Sequence, residues 1–260
     1  MRGAVLLALA VLAADAAEAG AWTLEKNHMA VFAGATASTA SRRYDNDGAS
    51  ATRVVFRKLL FQNWVEYGLL DSVTLFAVPE YVIAKSGMNG SGTTNARSAS
   101  IEGGVRILLL SRGGMLSVQA SAKSAGAFDM SVSTSGEAGR QFETRLLYGR
   151  SFKLFKRDAF IDVEAAQRWI ARPRPDELAF DGTFGWWLTR DNLLLVQSFN
   201  FMTTGPVRPP YQPYVLSKLQ VSLVQKLSRR WSFQPGYFMS LTGRNIVKES
   251  GVVATLWFQT

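Results

Sequence analysis

The chain has 260 residues, no cysteine, one histidine, and 29 Lys and Arg against 20 Asp and Glu, for a formal net charge of +9. The missing thiols exclude a disulfide framework, thiol redox chemistry and cysteine–zinc sites, and a lone histidine excludes histidine-clustered metal centres. The basic residues are scattered rather than gathered in one stripe, which argues against nucleic-acid binding. Residues 1–19 read as a cleaved secretory signal, with Arg2 as the positive start, an apolar stretch over 4–14 and the small-x-small site Ala17-Glu18-Ala19. The mature domain is therefore expected to be 20–260, starting at Gly20. No later run approaches the ~20 consecutive apolar residues of a membrane helix.

After residue 27 the chain keeps a rhythm of short alternating stretches. Strands are predicted over 28–40, 52–67, 72–84, 97–110, 115–124, 140–152, 159–170, 177–188, 192–203, 214–227, 231–241 and 251–258. Tight turns separate them at 68–71, 111–114, 153–158, 189–191 and 228–230. Long or polar connections fall between the turns, at 41–51, 85–96, 125–139, 171–176 and 204–213, and 242–250 leads into the last strand. Pro206, Pro209, Pro210 and Pro213 bar the fifth long loop from a ladder. Alternation of short and long connections is the habit of bacterial outer-membrane barrels, whose turns face the periplasm and whose loops face outward. A sandwich has no reason to keep it. The expected fold is all-β, a single antiparallel up-and-down transmembrane barrel of about twelve strands with both termini periplasmic.

Strand side chains alternate sides, so the faces follow from parity. Ile101, Val105, Ile107 and Leu109 oppose Glu102 and Arg106. Ile161, Val163, Ala165 and Trp169 oppose Asp162, Glu164 and Arg168. Leu178, Phe180, Phe184, Trp186 and Leu188 oppose Glu177, Asp181 and Thr183, and Val215, Leu219, Val221 and Leu223 oppose Lys218, Gln220 and Ser222. A soluble barrel would turn the apolar set inward. Charges of both signs on the polar faces suit a hydrated interior instead. The expected lumen lining is Glu66, Glu102, Arg106, Glu143, Arg145, Asp162, Glu164, Arg168, Glu177, Asp181 and Lys218. Aromatics near strand ends, Trp64, Tyr67, Tyr81, Tyr148, Phe152, Trp186, Trp187, Trp231, Trp257 and Phe258, read as girdles at the two membrane–water boundaries. The first, ninth and eleventh strands alternate too poorly for their faces to be assigned.

Several short stretches resemble a mostly uncharacterised family of proteobacterial outer-membrane β-barrels assigned to transport, some members of which are XagA-like proteins linked to surface polysaccharide and biofilm genes. They are Ala21-Trp22-Thr23; Glu66-Tyr67-Gly68-Leu69 with Thr74-Leu75 and Glu80-Tyr81; Gly149-Arg150-Ser151-Phe152; Asp176-Glu177-Leu178; Gln197-Ser198-Phe199; and Gly243-Arg244-Asn245 before Leu256-Trp257-Phe258. The resemblance implies an outer-membrane location and a transport or envelope role. The chain departs from the pattern where Gln259-Thr260 follow Phe258, since such barrels usually end on an aromatic read by the assembly machinery, and where Leu70 replaces a polar turn residue.

Catalysis is not expected. His28 stands alone at the start of the first strand, and neither a Gly-x-Ser-x-Gly elbow nor a second histidine accompanies it. The carboxylates of the seventh and eighth strands could serve acid–base chemistry, but inward bases are on hand to pair with them. Asp45, Asn46 and Asp47 could hold calcium, although a polar turn is the default; no cofactor or metal is expected. The functional expectation is a passive channel for small polar or anionic solutes, saccharides among them. The alternative is a closed scaffold whose loops 125–139 and 204–213 bind surface polysaccharide or a protein. Expected partners are outer-membrane lipid and lipopolysaccharide and the barrel-assembly machinery, with the chain a monomer.

Overall fold

The computed structural model describes residues 20–50, 52–88, 92–124, 139–209 and 211–260. The signal read in 1–19, nearly all of loop 125–139, the centre of 85–96 and Pro210 lie outside the described residues. Twelve strands follow one another: β1 (Met29–Arg43), β2 (Thr52–Leu70), β3 (Val73–Met88), β4 (Thr93–Leu110), β5 (Met115–Lys123), β6 (Gln141–Leu154), β7 (Arg157–Ile170), β8 (Asp176–Trp187), β9 (Asn192–Thr204), β10 (Val215–Lys226), β11 (Trp231–Arg244) and β12 (Ser250–Gln259). Each pairs antiparallel with its sequence neighbours. β12 returns to β1, from Ala30 opposite Gln259 to Thr39 opposite Ser250, and closes the barrel. Closure leaves no strand edge, so the wall satisfies its backbone groups without water.

Strand number and order match the sequence reading, and boundaries shift where neighbours override local propensity. β3 runs to Met88 and β4 starts at Thr93, so most of the predicted loop 85–96 is ladder, with Gly87 opposite Thr93. Glycine, serine and asparagine are poor strand formers alone, but a neighbour already in register supplies their partners. β2 likewise continues to Leu70, leaving Asp71 and Ser72 as the turn. Between β6 and β7 the turn is only Phe155 and Lys156, with φ of 47° and 63°, the left-handed pair of a two-residue hairpin.

Turns 71–72, 111–114, 155–156, 188–191 and 227–230 share one mouth of the barrel with both ends of the described chain, where the Thr260 N–H donates to the Met29 carbonyl (3.1 Å). This is the near mouth; the opposite ends of the strands form the far mouth. The outer surface carries a belt of exposed large apolar side chains, among them Ile101, Leu109, Leu146, Val163, Phe180, Val221 and Val252. Glu102, Arg106, Glu143, Arg145, Glu164 and Asp181 of the same strands point in. Apolar exposure on this scale marks a surface made for hydrocarbon or a partner, not for water.

The structure also assigns the three strands that the pattern left open. On β1, Phe32, Ser38 and Ala40 are buried inward, and small residues on both faces blur the period. On β9, Leu193 and Leu195 point in and pack in an apolar cluster, so its start is greasy on both sides. On β11, Gln234, Phe238 and Ser240 face in, while Phe233, Tyr237 and Met239 face out.

Candidate functional site

Residues 20–27 precede β1 and turn into the near mouth. Ala21, Trp22 and Leu24 are buried there, with Trp22 only 8% exposed. They join Ala30, Phe32, Leu147, Phe160, Leu193, Leu195, Val224 and Trp257 in one cluster that bridges opposite walls. Trp22 meets Phe160 edge-on at 5.7 Å. Its ring fills the space where a Cβ on Gly149 would stand (2.6 Å away), and Gly68 makes the same allowance for the Glu25 carbonyl (2.0 Å). A segment inside a barrel must still satisfy its peptide groups. The Ala21 N–H donates to Asp162 Oδ2 (2.8 Å), and the Ala21 carbonyl accepts from Ser117 Oγ (2.5 Å). The Trp22 carbonyl accepts from Arg106 Nη1 (2.9 Å). The Leu24 N–H donates to Thr74 Oγ1 (2.8 Å), and the Lys26 N–H to Asp71 Oδ1 (2.9 Å). Sequence reasoning missed this plug. Trp22 and Leu24, two greasy residues stranded between a cleavage site and the first strand, were the available signal.

The same cluster corrects three girdle assignments. Trp64, Trp187 and Trp257 point inward: Trp257 packs on Phe32 (5.2 Å), Trp64 stacks on Phe76 (5.0 Å) and Trp187 lies against the cluster, under Lys226 Nζ (4.8 Å). Position near a strand end does not decide a girdle; parity does, and the plug gives inward aromatics something apolar to touch. Tyr67, Tyr81, Tyr148, Phe152, Trp186, Trp231 and Phe258 lie on the outer face, where Trp231 and Phe258 pack together at 4.9 Å.

Above the plug is a chamber of about 500 Å³, lined by Gly20, by Arg174 of the β7–β8 connection and by side chains of β2 to β9. Its wall is a lattice of ion pairs. Arg106 reaches Glu66 (2.9 Å) and Gln119 (3.2 Å), and Trp64 Nε1 donates to the same Glu66 oxygen (2.7 Å). The other Glu66 oxygen is buried and makes no hydrogen bond among the described residues. Arg145 holds Glu143 (2.7 Å), Asp181 (2.7 Å) and Glu164. Arg168 bridges Glu143 (2.5 Å) and Glu177 (3.3 Å), and Arg174 adds a second cation to Glu177 (3.0 Å). Lys123 and Gln62 both reach Glu80. Glu102 lines the chamber without an ion pair among the described residues.

All eleven residues expected to line the lumen thus point into the barrel; eight line the chamber, Glu66 and Asp162 are buried against the plug, and Lys218 lies above the chamber. Lys58, Glu80, Lys123, Arg174 and Glu249 were missed. The first three follow from the same parity rule, since Lys123 stands opposite Glu102 in register. Arg174 and Glu249 sit in connections that fold inward, where alternation gives no guidance. The chamber lining balances, six acids against six bases.

The far mouth narrows. Lys58 (2.8 Å) and Lys218 (2.6 Å) converge on the buried Glu249, whose other donor is Ser38 Oγ (2.5 Å). Burial works to raise the Glu249 pKa, but the two ammonium groups and their hydrogen bonds outweigh it and hold the carboxyl well below its ordinary value. Tyr44, Tyr211, Tyr214, Leu216 and Ile246 form a second inner cluster, and Tyr214 donates its hydroxyl to Glu177 (2.5 Å). Asn245 Nδ2 ties this cap together by donating to the Pro213 carbonyl (2.8 Å) and to Asn46 (3.2 Å). Asp45 Oδ1 accepts from the N–H groups of Asp47 (3.0 Å) and Ala49 (2.8 Å), a self-capped turn. His28 sits half-exposed at the near rim, its Nε2 3.8 Å from Glu25.

No family model matches the chain, and no curated protein matches it. Solved structures do. An outer membrane channel from Pseudomonas putida F1 superposes with a TM-score of 0.67 at 12% identity, covering 92% of this chain and 97% of the other. The translocator domain of the autotransporter NalP from Neisseria meningitidis gives 0.58 at 9%, covering 95% and 90%. The NanC porin gives 0.51 at 10%, covering 89% and 100%. At such identities the likeness speaks to architecture, and the architecture is that of the closed β-barrels of outer membranes.

Proposed function

We propose that the chain is an outer-membrane channel, exported through a cleaved signal, that passes or binds small polar solutes, saccharides among them. One observation carries this reading: a polar, charge-balanced chamber of about 500 Å³ enclosed by a wall whose outer surface is apolar. The volume falls in the ~300–1,000 Å³ range of small-molecule sites. The balance of charge bears on selectivity. Five of the six chamber bases sit against carboxylates, and the sixth, Lys58, is held by Glu249 above. The lining therefore offers paired donors and acceptors rather than a field for anions, and neutral or zwitterionic polar solutes suit it better. The net positive charge of the chain lies elsewhere, on surfaces that meet phosphate-bearing lipid headgroups.

The plug and the tyrosine cap crowd both mouths, which favours a second reading: a closed scaffold whose outer connections bind surface polysaccharide or a protein. Planar-bilayer recording with a chain lacking residues 20–27 separates the two. Stable steps, with little preference between cation and anion, support the channel. Silence from a folded, inserted sample overturns it in favour of the scaffold.

A further inference from the structure

Asp162 is buried where the plug meets the chamber floor, 1% exposed, and no lysine or arginine among the described residues lies within salt-bridge distance of it. The Glu164 carboxyl lies beside it, and Arg106, itself paired with Glu66, attracts it only from beyond contact distance. A carboxylate so placed is costly unless a cation meets it. Besides Glu164, the groups that touch it are the backbone of Gly20 and Ala21. A Cβ on Gly20 would lie 2.5 Å from Asp162 Oδ2 and 2.9 Å from Oδ1, and the Ala21 N–H already donates to Oδ2 (2.8 Å). Gly20 has φ of +135° and lines the chamber itself. It is also the residue that the Ala17-Glu18-Ala19 site places first in the processed chain.

We infer that Asp162 is the receptor for the new amino terminus: cleavage before Gly20 creates an α-ammonium that pairs with Asp162 inside the lumen and locks residues 20–27 in the near mouth. Hydrolysis of the Ala19–Gly20 peptide bond consumes one water and leaves Ala19 as a carboxylate and Gly20 as an ammonium. Processing thereby supplies a cation at contact distance, which Arg106 does not reach. Plug seating is coupled to export, because a chain still joined to residue 19 presents a neutral amide at this point. The inference rests on the export reading above but not on the passage of any solute.

The test is protection of that amine. The protein is purified from outer membranes in detergent, its first residue read by intact mass, and its amines pulse-labelled with an acylating reagent near neutral pH. The terminal peptide is then quantified by mass spectrometry against the same protein unfolded in urea. The expected result is a chain beginning at Gly20 whose amine labels at least about tenfold more slowly when folded, equivalent to ~1.4 kcal/mol of protection. Asp162→Asn should abolish the protection and Asp162→Glu should keep most of it. Should Asp162→Asn fail to fold, one alanine added before Gly20 in refolded wild-type chain displaces the ammonium and should expose it equally. A different first residue, an unprotected wild-type amine, or protection that survives both changes overturns the inference. Conductance of the same sample reports on the channel separately, since silence with a protected amine removes the channel and leaves the ion pair.

Discussion

Truncation of Trp22 tests whether the plug controls the lumen. The indole is only 8% exposed, held against Phe160 and the inner wall. A tryptophan buries ~150–250 Å², and at ~25 cal/mol per Å² its removal forfeits ~4–6 kcal/mol. Measured aromatic-to-alanine losses run at ~3–5 kcal/mol. The lower figure is the right one here, because the hydrogen bonds of the segment to Asp162, Ser117, Arg106, Thr74 and Asp71 survive the change. A loss of ~3 kcal/mol raises the ratio of unseated to seated plug by more than about a hundredfold. Trp22→Ala should therefore spend far more time in a high-conductance state in planar bilayers, approaching the chain that lacks residues 20–27. Gly149→Ala should act in the same direction from the wall side, since its Cβ would stand 2.6 Å from the Trp22 ring. If both variants fold, as judged by heat-modifiable gel migration, and keep wild-type conductance and noise, the plug does not gate the lumen.

Arg145 contacts three carboxylates with its one positive charge, so Arg145→Gln in the plug-free background leaves the chamber one charge negative; a unit charge at ~4 Å is worth ~1 kcal/mol in bulk water and ~4 kcal/mol at an effective dielectric near 20, so the reversal potential in a salt gradient should move toward cations by a factor of at least about five in permeability ratio. Glu249→Gln should destabilise the barrel at neutral pH by ~3–5 kcal/mol, because it removes the carboxylate on which Lys58 and Lys218 converge. Since the folded-state pKa of Glu249 is depressed, its contribution is complete above the unfolded carboxylate value and is lost as pH falls through the folded one; urea midpoints of wild type and variant should converge only on acidification, and a pH-independent gap would refute the pairing. Lys156→Gly should raise the unfolding midpoint by an amount equivalent to ~1 kcal/mol, since it relieves a left-handed non-glycine residue in a two-residue turn, and a lower midpoint would show that the side chain matters more than its backbone.

The wall was legible because a barrel wall obeys one rule, the two-residue period, through most of each strand, with register shifts only near strand ends such as Gly68–Leu70 and Leu108–Leu110. Arg106, Asp162 and Lys218 could be placed inside with no knowledge of tertiary structure. Parity could equally have placed Lys58 and Lys123. The period is blind to any segment that leaves the ladder. Trp22, Arg174 and Glu249 belong to segments without alternation, and their positions depend on which cavity they fill. The same blindness explains Trp64, Trp187 and Trp257, because an aromatic at a strand end suits a lipid boundary or an inner plug equally well until its neighbours are known. β9 reads ambiguously for this reason too, as Leu193 and Leu195 face an apolar interior where a hydrated one was assumed.

The twelve strands are unequal in length. β1 to β4 run 15, 19, 16 and 18 residues, whereas β5 has 9, β10 has 12 and β12 has 10. Roughly 9–11 residues suffice to cross hydrocarbon. The four neighbouring strands β1 to β4 thus raise one flank as a parapet of hydrogen-bonded sheet fixed by their shared register, while the short β5 and β12 leave lower stretches of wall. Insertions and substitutions in a connection beyond a short strand can remodel that part of the rim without breaking a ladder bond.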